Sequence, residues 1–155
     1  MSWGRFAESD PALAEYGAGR LASGVAYLAT VRRDGAPRVH PVTPIIGHGR
    51  LFVFMEPTSR KGDDLRRDGR YALHCAVEDS SGGDGEFYLY GTATPIDDPA
   101  VRALAADASS YTPKERYVLF ELAVDSAFSN LYNKTGNTFT MWKAEAARDE
   151  EADHD

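Results

Sequence analysis

The densest chemistry in the sequence lies in MEPTSRKGDDLRRDGRYAL, Met55 to Leu73, where residues 60 to 70 hold five of the chain's 17 Lys and Arg residues. Two readings fit Arg60, Lys61, Arg66, Arg67 and Arg70. On a short helix they form a solvated face, paired with Asp63, Asp64 and Asp68. Alternatively they build an anion site, because the segment follows the apolar run RLFVFM and a helix starts near Pro57-Thr58-Ser59. The N-terminus of a helix offers unpaired N–H groups and a positive dipole end, which suit a phosphate. Thr58 and Ser59 add hydroxyls, Arg60 a planar fork and Lys61 a point charge. Cations in a first helical turn are unfavourable unless an anion offsets them, which tilts the reading toward the anion site.

Elsewhere the reactive residues form no self-sufficient constellation. There is no GxSxG elbow, P-loop or HExxH motif. His40 lies mid-strand, His48 in a turn, His74 beside Cys75 and His154 near the end, spacings that suit no metal site. His74 and Cys75 are strand neighbours whose side chains point to opposite faces, so they do not make a nucleophilic pair. Cys75 reads as a small buried apolar residue, and a single cysteine excludes an intramolecular disulfide. No catalytic residue is assigned, and an enzymatic role requires a bound cofactor to supply the reactive group.

The elements that would position these residues are mostly strands. A helix is predicted from Asp10 to Ser23, with Asp10 as N-cap and Pro11 at the first helical position. VAYLATVRR ends in the hairpin signal Asp34-Gly35, and APRVHPVTPII resumes beyond it. Pro37, Pro41 and Pro44 predict an edge strand or bulges there. RLFVFM, RYALHCAVE and FYLYGTATPI read as further strands, RYVLFELAV and TFTMWK as later ones. Asp98-Pro99 starts a second helix with Val101, Leu104, Ala105 and Ala108 on one face. The expectation is a mainly β protein of six or seven antiparallel strands with covering helices.

Composition sets the limits. The 155 residues suit one domain, assigned to 1–143, with an acidic disordered tail at 144–155. That tail holds six acids and one arginine, so it carries most of the net charge of -7 and leaves the body nearly neutral. No broad basic surface points to nucleic acid, and no apolar run is long enough for a membrane span. Without a secretory signal at the start, a soluble cytoplasmic protein is expected.

Three stretches together, AYLATVRRDGAPRVHPV, LFVFMEPTSRKGDDLRRDGR and FYLYGTA, resemble the pyridoxamine 5'-phosphate oxidase-like family of flavin-binding split β-barrels. The resemblance implies a six-stranded antiparallel split barrel, and a homodimer with FMN at the subunit interface. It implies that Arg60 and Lys61 hold the cofactor phosphate, supported by Ser59. Arg38, Val39, His40, Pro41 and Val42 would line the ring system and phosphate side, with Phe54 and Met55 on the neighbouring strand. Glu86 falls where the true oxidases place a glutamine, and Trp142 is a candidate ring contact from the partner or a packing residue. The family's Arg/His-rich C-terminal segment has no counterpart in NTFTMWKAEAARDEEADHD, so the resemblance does not extend to vitamin B6 oxidation. It implies an oxidoreductase transferring hydride between flavin and an unknown small substrate. Two alternatives keep the barrel: a deazaflavin reductase with Arg66, Arg67 and Arg70 on the coenzyme tail, or a non-enzymatic flavin- or haem-binding protein.

Overall fold

Alternation of inward and outward side chains along each strand decides the architecture. The computed structural model describes residues 1–22, 24–78, 80–81 and 83–145, so the acidic tail from 146 onward lies outside the described residues. In chain order the elements are α1 (Trp3–Ser9), α2 (Pro11–Leu21), β1 (Ala26–Val31), β2 (Pro37–Val42), β3 (Ile45–Gly47) and β4 (Arg50–Met55). They continue with α3 (Arg60–Arg67), β5 (Arg70–Cys75), β6 (Glu86–Ile96), α4 (Pro99–Ala108), β7 (Val118–Leu122), β8 (Ser126–Asn133) and β9 (Gly136–Lys143). All strand pairs are antiparallel, in the order β2-β1-β5-β6-β7-β4-β3, with β8 and β9 branching from β6.

The sheet curls because β6 serves two halves. Its N-terminal part pairs with β5 and β8, and its C-terminal part with β7. Gly91 sits at the changeover, where an added Cβ would come within 1.8 Å of the Ala123 carbonyl oxygen. Only glycine permits that approach. Inside the curl lie Leu28, Leu73, Phe87, Leu89, Leu122 and Ala127, joined by Trp3 and Phe6 from α1 and Leu13 from α2. β4 is buried on both faces: Leu51, Val53 and Met55 enter this main core, and Phe52 and Phe54 a second one under α4. Phe6, Phe52, Phe87 and Phe120 are fully buried, each worth about 2–3 kcal/mol in apolar area removed from water.

Asp10 and Asp98 cap α2 and α4 as expected, each with proline in the first turn. β2 pairs only with β1, so it is an edge strand on which Pro37 and Pro41 cost the sheet little. The barrel class holds, but among the described residues nine strands replace the expected six or seven. β3 is only three residues long, and β8 was not anticipated from SAFSNLYN. Nor was α1, whose seven residues are held by the Ser2 cap and by burial of Trp3 and Phe6.

Candidate functional site

α3 packs across the start of the barrel, against β1 and β6. Ser59 caps it, its hydroxyl oxygen accepting from the Gly62 N–H at 3.3 Å. Between this helix and the β1–β2 hairpin lies an open cleft of about 420 Å³. Five arginines line it, Arg32, Arg33, Arg38, Arg60 and Arg67, with three aspartates, Asp34, Asp63 and Asp64. The lining therefore carries an excess of two positive charges, which matches one phosphate dianion.

The charges are not evenly satisfied. Arg32 pairs with Asp34 at 3.3 Å, and Arg38 and Arg67 with Asp64 at 2.7 and 3.3 Å. Among the described residues, the side chains of Arg33 and Arg60 make no ion pair or hydrogen bond. They stand on opposite walls, one on the hairpin and one at the first position of α3.

Asp64 is the buried centre of this wall, 3% exposed. It accepts from Thr30 Oγ1 and Arg38 Nε, both at 2.7 Å, and from Arg67 Nη2. Burial alone would push its carboxyl pKa up, but the hydrogen bonds from Arg38, Thr30 and Arg67 outweigh it and hold the pKa low. Arg67 also reaches the Val31 carbonyl, so two strands and the helix meet here.

The residues expected at the site divide into groups. Arg38 and Arg60 meet in the cleft. Lys61, one helical step round from Arg60, is half-buried and outside the lining; burial lowers its pKa. On β2, Arg38, His40 and Val42 take the inner face and Val39 and Pro41 the outer one, so this stretch does not line one surface. Phe54 and Met55 are buried, 7% and 4% exposed, with the Arg102 guanidinium 5.1 Å from the Phe54 ring. In the single chain their side chains have little surface left for a ring system. Trp142 is likewise committed to packing: it leans on Phe6 at 4.8 Å, and its Nε1 donates to Ser9 Oγ. Arg66 and Arg70 are engaged by Asp63 and Asp68, and the Arg70 partner lies close enough to depress the Asp68 pKa to about 2. The groove of Arg66, Arg67 and Arg70 expected for a coenzyme tail is thus not assembled from unpaired cations.

Glu86 opens β6 on the outer sheet face, not in the cleft. Tyr132 Oη donates to it at 2.6 Å, and His74 Nε2 lies 3.6 Å away. Around this pair the outer face is aromatic. His74 stacks on Tyr88, Tyr88 on Phe128, and Phe128 on Phe139. A shallow pocket of about 260 Å³ opens there between Tyr27, Val39, His74, Tyr88 and Tyr90. His74 Nδ1 lies 2.6 Å from the Cys75 carbonyl oxygen, and hydrogen bonding to Cys75 raises its pKa, Glu86 adding to the effect. The Cys75 thiol, by contrast, is buried on the inner face, where it accepts from the Phe87 N–H.

Thr30 and most of the aromatic ladder were missed from sequence, and Asp64 was read there only as a partner of the basic residues on a solvated face. The ladder did leave a signal: in EFYLY both strand phases are apolar or aromatic, the mark of a strand covered on both faces. Asp64 left none beyond its helical spacing to Arg67.

Residues 13–130 match the family model for pyridoxamine 5'-phosphate oxidase, and the chain belongs to that family. Among curated proteins none is similar in sequence. Solved structures share the fold at low identity. A haem-binding protein from Mycobacterium smegmatis is 19% identical with a TM-score of 0.65, over 85% of this chain and 59% of that one. This chain thus spans less than two thirds of that protein's length. A NimC/NimA family protein from Clostridium acetobutylicum is 18% identical with a TM-score of 0.57, over 79% and 88% of the two chains. The haem storage protein HutZ from Vibrio cholerae is 16% identical with a TM-score of 0.55, over 74% and 89%.

Proposed function

We propose that this chain binds FMN and works as an oxidoreductase on a small substrate. The observation that carries the reading is the arginine-lined cleft, whose excess of two positive charges and unpaired Arg33 and Arg60 suit one phosphate monoester. Arg38 and Arg60 would grip the phosphate from opposite walls; Lys61 lies outside the lining and would reach the phosphate only by turning its side chain toward Arg60. A bound flavin supplies hydride transfer through its N5 atom. The chain's own residues bind, orient and tune. Against a deazaflavin with a polyanionic tail stands the pairing of Arg70 with Asp68 at 2.6 Å, while Arg66 only approaches Asp63 at 4.0 Å.

The ring-binding half of the site is completed by a second copy of the chain in this reading. In one chain Val39, Tyr27, Tyr90, Phe139 and Met141 stay exposed on the outer sheet face. A patch of that kind marks an interaction surface. The test is titration with FMN and riboflavin, followed by absorbance and flavin fluorescence. FMN is expected to bind much more tightly than riboflavin, and Arg60→Ala with Lys61→Ala to abolish the difference while the fold persists. Equal affinity of wild type and double variant for FMN would remove the phosphate assignment.

A haem-binding role is the second reading, favoured by His74. Its Nδ1 is directed at a backbone carbonyl, the arrangement in which a histidine presents Nε2 to a metal. The apolar pocket around it could take one face of a porphyrin. Haem addition would then give a shifted Soret band that His74→Ala removes. Binding would tighten as the pH rises through the raised His74 pKa, because only the neutral imidazole is a ligand.

A further inference from the structure

We propose that Asp64 is a positioning residue for the anion site, aiming the Arg38 guanidinium into the cleft. The inference rests on the reading that the cleft holds a phosphate. Arg38 gives only its Nε hydrogen to Asp64, at 2.7 Å. Among the described residues its two Nη groups have no partner, and the side chain is 20% exposed. A guanidinium held at Nε has its outer edge fixed in direction, and that edge is the fork that grips a phosphate in two places. The other oxygen contacts give Asp64 its own rigidity: Thr30 Oγ1 donates from β1, and Arg67 from the last turn of α3. One buried carboxylate thereby ties the helix wall of the cleft to the hairpin wall.

A carboxylate is a costly choice beside an anion site. It cancels one of the positive charges that would attract the ligand, and it is buried. If charge alone mattered, the cleft would bind phosphate better without it. Positioning predicts the opposite sign, so the two accounts separate in one substitution. Asp64→Asn keeps the shape and raises the excess positive charge of the lining from two to three. An asparagine cannot accept from Thr30, Arg38 and Arg67 together without turning its amide hydrogens toward a guanidinium.

The experiment measures binding of inorganic phosphate by 31P NMR titration, and of FMN and riboflavin by fluorescence, on the full chain. In Asp64→Asn both phosphate and FMN binding are expected to weaken about tenfold, the scale of one lost charge-assisted hydrogen bond, with riboflavin unchanged. In an Arg38→Ala background Asp64→Asn should then cost nothing further, since its effect passes through Arg38. Thr30→Val keeps every charge and is expected to weaken phosphate binding about threefold, the scale of a neutral hydrogen bond. It supplies the reading if Asp64→Asn does not fold. Tighter or unchanged phosphate binding in folded Asp64→Asn overturns the proposal, as does full additivity with Arg38→Ala. Wild type that binds phosphate, but FMN no better, refutes the flavin reading while Asp64 is still judged on phosphate. Wild type that binds neither overturns both.

Discussion

At position 61 a half-buried lysine has, among the described residues, no carboxylate within ion-pair distance, and burial pushes its pKa down. The folded chain therefore holds that proton less tightly than the unfolded chain, so the charge costs stability at neutral pH. A bound phosphate would offset the cost. Lys61→Met is accordingly expected to raise the melting temperature of the cofactor-free protein and to weaken FMN binding, a trade of stability against function. A lower melting temperature in that variant, by scanning fluorimetry, would show that Lys61 is balanced within the fold. Asp64 works in the other direction. Its folded pKa lies below the unfolded value of roughly 3.9, so its stabilisation is complete above that value and is lost as the pH falls through the folded one. The acid limb of the stability profile should flatten in Asp64→Asn; an unchanged limb would assign acid unfolding to other carboxylates.

The elements were legible where a few adjacent residues decide them. Asp10-Pro11 and Asp98-Pro99 stop and start helices by local geometry, and Asp34-Gly35 turns a hairpin with Gly35 at φ +84°. β8 was not legible, because SAFSNLYN becomes a strand only through its pairing with β6 and β9. The sheet's bend at Gly91 was equally hidden, since the atom that forbids a side chain there belongs to Ala123. Gly91→Ala should destabilise by about 2 kcal/mol or more, because the contact is with backbone and cannot relax by rotation; a denaturant melt near wild type would show that the strand shifts freely. Trp142→Ala tests the packing assignment. It is expected to cost about 3–5 kcal/mol, while FMN affinity of the folded fraction stays within a factor of about two, well under the 1.4 kcal/mol that a tenfold change represents.

For the whole molecule, the pattern of exposure is the informative feature. Val39, Phe139 and Met141 are 61%, 57% and 52% exposed on the outer sheet face, while Leu28, Leu73 and Leu89 on the inner face of the central strands are buried. A single chain gains nothing from a stacked aromatic ladder facing water. If two copies pair through this face, as proposed, Phe139→Asp should shift the protein from dimer to monomer in light scattering at micromolar concentration, with a matching loss of FMN affinity. A monomeric wild type would sink that assembly. Among the described residues no helix is long and apolar enough to cross a membrane.

The barrel closure came from the family resemblance, while the sequence by itself determined the mainly β antiparallel class, the helix starts, the edge strand and the basic cluster after β4. Each depends on short-range properties: strand alternation, capping geometry, proline's missing donor and the spacing of charges on one helical turn. Only the tertiary structure decided which cations matter. Arg66 and Arg70 lie beside acidic neighbours on their own segment, whereas Arg33, Arg38 and Arg60 meet only because α3 folds back on the β1–β2 hairpin. The same closure buries Asp64 beneath Thr30 and Arg38, residues more than twenty positions away. Charge pairing depends on distance in space, and in this chain the distances that build the site are set by the packing of a helix against two strands.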